Sequence, residues 1–183
     1  MPKRKPRQRR QPEKAPEPPR DRRAEIRAEI QDVQQQIETK RREGRVIRTA
    51  EDFKSMERAI AALTNRLSAL LMAEATQAAL DDSENRRQAR SLAQGAGHTI
   101  KDQGRRDVTL QTTCGQIIVR VTYFSRNCDR GKAGKGMYPM LLLWGVHDRC
   151  TAAIASEISK LVAMLGSLEE VEQVLSDRGQ PLD

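Results

Sequence analysis

Val108-Thr-Leu-Gln-Thr-Thr-Cys-Gly-Gln-Ile-Ile-Val-Arg-Val-Thr-Tyr123 decides how this chain folds. Val108 and Leu110 alternate with polar neighbours, and so do Ile117, Val119, Val121 and Tyr123. Period-two alternation of β-branched and aromatic residues predicts two half-buried strands. Thr113-Cys-Gly-Gln116 predicts the turn between them, with Gly115 free to take positive φ. Thr109, Gln111, Arg120 and Thr122 then form the solvent face, and Arg105 and Arg106 precede the first strand. Tyr123 is expected in the core, with Phe124 beside Arg120 on the other face.

Downstream of the hairpin, Ser125-Arg-Asn-Cys-Asp-Arg-Gly-Lys-Ala-Gly-Lys-Gly136 sets four cations (Arg126, Arg130, Lys132, Lys135) against Asp129. Its three glycines deny it a regular element and predict a mobile basic loop. Met137-Tyr-Pro-Met-Leu-Leu-Leu-Trp-Gly145 is too short to cross a bilayer, and Pro139 suits the first turn of a short buried helix. Thr151 is placed to N-cap the next helix, whose stripe is Ile154, Ile158, Leu161 and Leu165. Gly166 stops it. Ser167 with Glu170 has the spacing of a capping box for a last helix bearing Leu168, Val171, Val174 and Leu175. Two helices joined by Gly-Ser resemble part of a helix-turn-helix. The acidic second helix, with Glu169, Glu170, Glu172 and Asp177, favours an ordinary helical hairpin over a helix lying on phosphates.

Upstream, Ile26, Ile30, Val33 and Ile37 are spaced as one helical stripe, and Met56, Ile60, Leu63, Leu67 and Leu70 as another. Gly44 and the basic stretch Arg45 to Arg48 separate them, and Thr49 with Asp52 can cap the second. Such narrow stripes fit an antiparallel helical hairpin or a homodimeric coiled coil. Arg86, Arg87 and Arg90 open a further polar helix that fades by Gly95-Ala-Gly97.

The charge is unevenly placed. The chain of 183 residues carries +8, with 37% hydrophobic and 32% charged residues. Residues 1–23 hold ten cations, among them Lys3, Arg4, Lys5, Arg7, Arg9 and Arg10, against three acids (Glu13, Glu17, Asp21), a balance of +7 that leaves +1 for the remaining 160. Six of the eight prolines lie there too. Such a segment is predicted to be disordered and to grip phosphates without regard to sequence. With ~5 cations on phosphates, the salt slope is about −4.5, a loss of roughly 500-fold between about 50 and 200 mM salt. No apolar stretch follows the charges as in a secretory signal, and no run reaches the ~18 apolar residues of a membrane span.

The expected fold is therefore α+β: a disordered basic tail (1–23), a helical region built as a hairpin or coiled coil (24–97), and a module of β-hairpin, basic loop and C-terminal helical hairpin (98–183). Cys114, Cys128 and Cys150, with His147 three before the last, lack the close pair usual in structural zinc sites. Three thiols and one imidazole are enough ligands for zinc, but unpaired thiols in a reducing cytoplasm are the default reading. Gly131-Lys-Ala-Gly-Lys-Gly136 is not a nucleotide-binding phosphate loop, because neither lysine precedes Ser or Thr. No cofactor, small-molecule substrate or membrane partner is expected.

Asp52-Phe-Lys with its helix, Val119-Arg-Val-Thr-Tyr-Phe124, Gly136-Met-Tyr-Pro139, Leu143-Trp-Gly-Val-His-Asp-Arg-Cys-Thr151, Leu165-Gly-Ser-Leu-Glu-Glu170 and Val174-Leu-Ser-Asp-Arg-Gly179 follow one another in an order that resembles the N-terminal region of the ISKra insertion-sequence transposases. The resemblance covers about residues 20–183 and rests on a series of short motifs. It implies a DDE-type parent enzyme whose two-metal carboxylate domain follows the region seen here. On that basis this chain is expected to be non-catalytic, to act in the cytoplasm at the nucleoid, and to bind duplex DNA. The contacts expected are the tail, Arg105, Arg106, Arg120 and the cations of the 126–135 loop. The alternative is a helical oligomerisation protein with a polyanion-binding tail.

Overall fold

A computed structural model describes residues 21–95, 100–126 and 136–178. The fold is α+β, with six α-helices and one two-stranded antiparallel hairpin among the described residues. Helix α1 (Arg22–Glu43) starts on Asp21, whose carboxylate accepts from the Arg23 and Ala24 N–H groups. A single 3-10 turn, Gly44–Val46, reverses the chain. Helix α2 (Ala50–Asp81) then runs back along α1, and the two stripes pack against each other within one chain. The predicted Thr49/Asp52 capping box forms in both directions. The Thr49 hydroxyl, together with the Arg48 and Thr49 N–H groups, lowers the Asp52 pKa from its ordinary value. Helix α3 (Ser83–Gly95) follows after one residue.

Strands β1 (Ile100–Thr112) and β2 (Gly115–Arg126) make the hairpin, with Val108 opposite Val119 and Leu110 opposite Ile117. Its turn is shorter than the sequence implies. Thr113 and Cys114 alone make it, and Gly115 already belongs to β2 at φ 104°. The buried Thr112 hydroxyl ties this turn, donating to Gly115 O at 2.7 Å and accepting from the Cys114 N–H at 3.1 Å. At the other end β1 begins earlier than its alternation shows. Gly104, at φ 80°, allows a register shift between Asp102 and Arg105, so Arg105 and Arg106 lie inside the strand rather than before it.

The faces divide largely as expected. Val108, Leu110, Ile117, Val119 and Val121 join Ile26, Ile30, Ala73, Leu80 and Ala89 in one core. Pro139 opens the short helix α4 (Pro139–Leu143), which adds Met140 and Leu141 to that core. The far face is less open than predicted: Thr109, Gln111, Arg120 and Thr122 are all half-buried. Phe124 is buried, and a small cleft at this end is lined by Phe124, Leu80, Ala89 and Met140. Tyr123, expected in the core, is half-buried and borders the Tyr138 ring at 5.0 Å between centroids.

Helices α5 (Ala152–Leu165) and α6 (Leu168–Asp177) form a second, smaller core of Ile154, Val171 and Leu175. Gly166 ends α5 at φ 76°. Thr151 and Ser167 occupy the N-cap positions, but neither side chain caps, so the capping box predicted from Ser167 and Glu170 does not form. No helix among the described residues is long and apolar enough to cross a membrane.

A two-stranded sheet has two raw edges, and both are engaged here. On β2, Gln77 reaches from α2 as a surrogate strand. Its Oε1 accepts from the Arg120 N–H at 2.8 Å and its Nε2 donates to Arg120 O at 3.3 Å. Met137 exchanges two backbone hydrogen bonds with Phe124 farther along, and the Arg22 guanidinium donates to Ile118 O. On β1, the Gln111 N–H donates to Arg149 O and Gln111 O accepts from the Thr151 N–H.

The segment that supplies those last partners is itself a tight reversal. His147 and Cys150 exchange both backbone hydrogen bonds, with Asp148 at φ 47° and Arg149 at φ 65° between them. Two positive φ values are the signature of a type I′ turn, for which Asp-Gly is a favoured pair. Arg149 has a Cβ that crowds this conformation at a cost of about 1–2 kcal/mol. Arg149→Gly is therefore expected to stabilise the fold by about 0.5–1 kcal/mol after the added chain entropy of glycine is offset. Urea unfolding reads the difference, and a variant less stable than the parent would refute the strain.

Candidate nucleic-acid interface

The cations predicted to meet DNA fall into two groups. Lys3, Arg4, Lys5, Arg7, Arg9, Arg10, Arg130, Lys132 and Lys135 lie outside the described residues, and Arg126 enters only as the last residue of β2, opposite Ile100. The other three are held by the fold. Arg105 pairs with Asp81 at the end of α2, at 2.7 Å. Arg106 sits over the Tyr123 ring, 4.0 Å from its centroid. Arg120 makes a forked contact with Asp107 across the hairpin, at 2.8 and 3.3 Å. That hydrogen-bonded carboxylate raises the Arg120 pKa above its ordinary value. A guanidinium fixed on a neighbouring carboxylate must exchange that partner for a phosphate, so Arg105 and Arg120 are weaker phosphate ligands than their charge suggests, while Arg106 is held against an aromatic ring.

The fold adds cations from elsewhere at the same end of the hairpin. Arg86 and Arg90 line the small cleft with Asp102 and Phe124, and exposed Lys101 faces Ser125 across the open end. Arg86 is largely structural, because its guanidinium donates to Leu80 O and Asp81 O at the end of α2. Arg87 pairs with Glu84 on the helix surface at 2.8 Å. Arg90 and Lys101 are exposed. Arg90 on α3 and Lys101 on β1, eleven positions apart in sequence, come to the same end of the hairpin only through the tertiary fold.

A second basic group lies at the opposite end of α2, where α1 turns. Lys40, Arg41, Arg42, Arg45 and Arg48 are five cations in nine residues with the single acid Glu43. Glu38 engages Arg41 at 2.9 Å and Arg42 at 3.5 Å, and Glu43 engages Lys40 at 2.6 Å. Arg45, Arg48 and Lys54 are exposed. The density of positive charge from Lys40 to Arg48 was a legible signal, but it reads equally as a solvated turn until the helices are seen to end there.

The root of the N-terminal arm also belongs to the folded body. Arg22 pairs with Glu25 at 3.1 Å and Glu29 at 3.4 Å, and Arg23 approaches Glu74 at 3.7 Å. Glu74 is held below its ordinary pKa chiefly by its hydrogen bond from Arg27. Residues 1–20 alone then carry eight cations against Glu13 and Glu17, a balance of +6.

Among the described residues the candidate metal ligands do not form one cluster. Cys114 lies at the hairpin turn, while His147 and Cys150 bracket the reversal beside Gln111; Cys128 lies outside the described residues. Among the described residues no group of three His, Cys, Asp or Glu side chains is placed to hold a metal ion. Comparison of the chain with protein-family models, with curated proteins and with solved structures finds no match.

Proposed function

We propose that this chain is a duplex-DNA-binding and assembly module of a transposase-like system, without a catalytic role of its own. The observation that carries the reading is the charge of residues 1–20: eight cations and two acids joined directly to a capped helix. Tethering such an arm to a rigid body places many weak phosphate contacts beside one another, and the grip needs no base-specific reading. Exposed Arg90 and Lys101 at the open end of the hairpin extend the positive surface onto the body. The ordered series of motifs that resembles ISKra transposases supports DNA ends as the target, at the nucleoid.

Fluorescence anisotropy across a salt series tests this, using duplexes from the DNA flanking the gene beside shuffled duplexes. The full chain is compared with one that begins at Asp21, which keeps the N-cap of α1. Preference for flanking DNA that survives removal of the arm supports end recognition by the body. Absence of duplex binding by the full chain refutes the reading.

A second reading is favoured by one observation, the internal pairing of Arg105, Arg106 and Arg120. On it, the body is an assembly scaffold that self-associates through its helices, and the arm binds any polyanion. Equal affinity for all duplexes, lost with the arm, together with a mass that rises with concentration, would select it.

A further inference from the structure

Helix α2 has a basic group at each end. At its N-terminal end, Arg45, Arg48 and Lys54 are exposed around the turn from α1. At its C-terminal end, Asp81 pairs with Arg105, exposed Arg90 lines a cleft with Leu80 and Asp102, and exposed Lys101 adjoins Asp102 in β1. The helix has 32 residues, and at ~1.5 Å per residue it spans about 48 Å. Its last third is anchored: Ala73, Gln77 and Leu80 are its buried residues, and Gln77 is bonded to β2. The residues that approach the hairpin turn and α6 run from Arg58 to Ala69, so the first two turns lie beyond them with α1 as their neighbour. Pairing with α1 stiffens this extension and fixes where the tip cations stand.

From this geometry we propose that α2 is a ruler that holds two phosphate-binding groups about 48 Å apart on one chain. That distance equals about 14 base pairs at ~3.4 Å per step. Residues 38–58 hold seven cations against five acids (Glu38, Glu43, Glu51, Asp52 and Glu57), a balance of +2. With Glu38 and Glu43 engaged on Lys40, Arg41 and Arg42 and Asp52 bound into the cap of α2, Arg45, Arg48 and Lys54 are the cations the tip offers to a phosphate. A duplex longer than this distance meets both groups at once. Once one group is bound, the second contact is intramolecular and raises affinity without any new kind of contact. A duplex of about 10 base pairs, roughly 34 Å long, reaches only one group. The proposal rests on the duplex-binding reading above and adds to it a defined length.

The test is anisotropy of the full chain against duplexes of about 10 to 30 base pairs, spanning the ~14-base-pair threshold. The parent is compared with the triple variant Arg45→Ala/Arg48→Ala/Lys54→Ala. For the parent, affinity is expected to step upward by tenfold or more as duplexes pass about 14–16 base pairs. The triple variant is expected to lose that step while its affinity for the shortest duplexes changes by less than about twofold. With three phosphate contacts gone, its salt slope on long duplexes falls by about 2.7, a roughly 40-fold smaller loss between about 50 and 200 mM salt. Arg45→Lys/Arg48→Lys keeps the charge and is expected to keep the step. All of these residues are exposed, so thermal melting should be unchanged and serves as the folding control. A parent that binds duplexes with no step, or a triple variant that retains it, overturns the ruler and leaves DNA binding standing. A parent that binds no duplex of any length overturns both.

Discussion

Gln77→Leu is expected to lower the stability of the whole fold by about 2–4 kcal/mol, the sum of two buried backbone groups left without partners. Gln77 is 1% exposed, and its amide serves the Arg120 N–H and the Arg120 carbonyl together. Leucine has nearly the same volume, so little of the loss comes from a cavity. The cost arises because the outer edge of β2 faces α2 there, where water does not readily replace the amide. At ~2–4 °C per kcal/mol for a chain of this size, the thermal midpoint should fall by roughly 4–16 °C. Gln77→Glu retains an acceptor for the Arg120 N–H but offers no donor to the carbonyl at neutral pH, and it brings a second carboxylate beside Asp81. It is expected to be destabilised as well, less so at low pH, where the protonated acid regains a donor. A midpoint for Gln77→Leu within about 2 °C of the parent would show that the edge is not held by this side chain.

Leu175→Ala is expected to act locally. Leu175 is fully buried at 0% exposure with Ile154 and Val171, and this small core is separate from the one beneath the hairpin. Truncating a buried leucine costs about 2–5 kcal/mol through lost transfer energy and an unfilled cavity. A core of three buried side chains has little reserve, so residues 152–178 should open before the hairpin does. Hydrogen exchange is the measurement that separates the two. Protection is expected to fall across α5 and α6 while amides of Val108, Leu110, Ile117 and Val119 stay protected. The links that would resist this are few: the backbone bonds of Gln111 with Arg149 and Thr151, and Asn65 Nδ2 donating to Arg178 O at 3.3 Å. Equal loss of protection in the hairpin would mean that the two cores unfold as one unit.

Much of the architecture was legible because local chemistry wrote it. Alternation at Ile117, Val119 and Val121 names the buried face of a strand whatever lies across from it. Thr49 and Asp52 specify a helix start through bonds four residues long, and Gly166 specifies a stop through its backbone freedom. The same signal misled at Ser167 and Glu170, where the spacing of a capping box is present without its hydrogen bonds. It was silent at Ile100 to Asp107, where charged residues continue a strand that pairing with β2 sustains. The candidate interface was less legible than the fold. Arg105, Arg106 and Arg120 read as free cations along the chain, but Asp81, Tyr123 and Asp107 meet them only after folding.

Composition, the charge of the N-terminal arm, the order of elements and the face of each stripe follow from residues close together in sequence, through propensity, periodicity and capping. Other features depend on groups far apart in the chain. Within one chain, the α1 and α2 stripes pack against each other. Gln77 closes an edge 43 positions away, and Phe124 is buried while Tyr123 supports an arginine. The cations of α2 and its neighbours separate into two distant groups. Each of these requires that burial and hydrogen bonding be satisfied across the whole core at once, a condition that no local pattern of residues encodes.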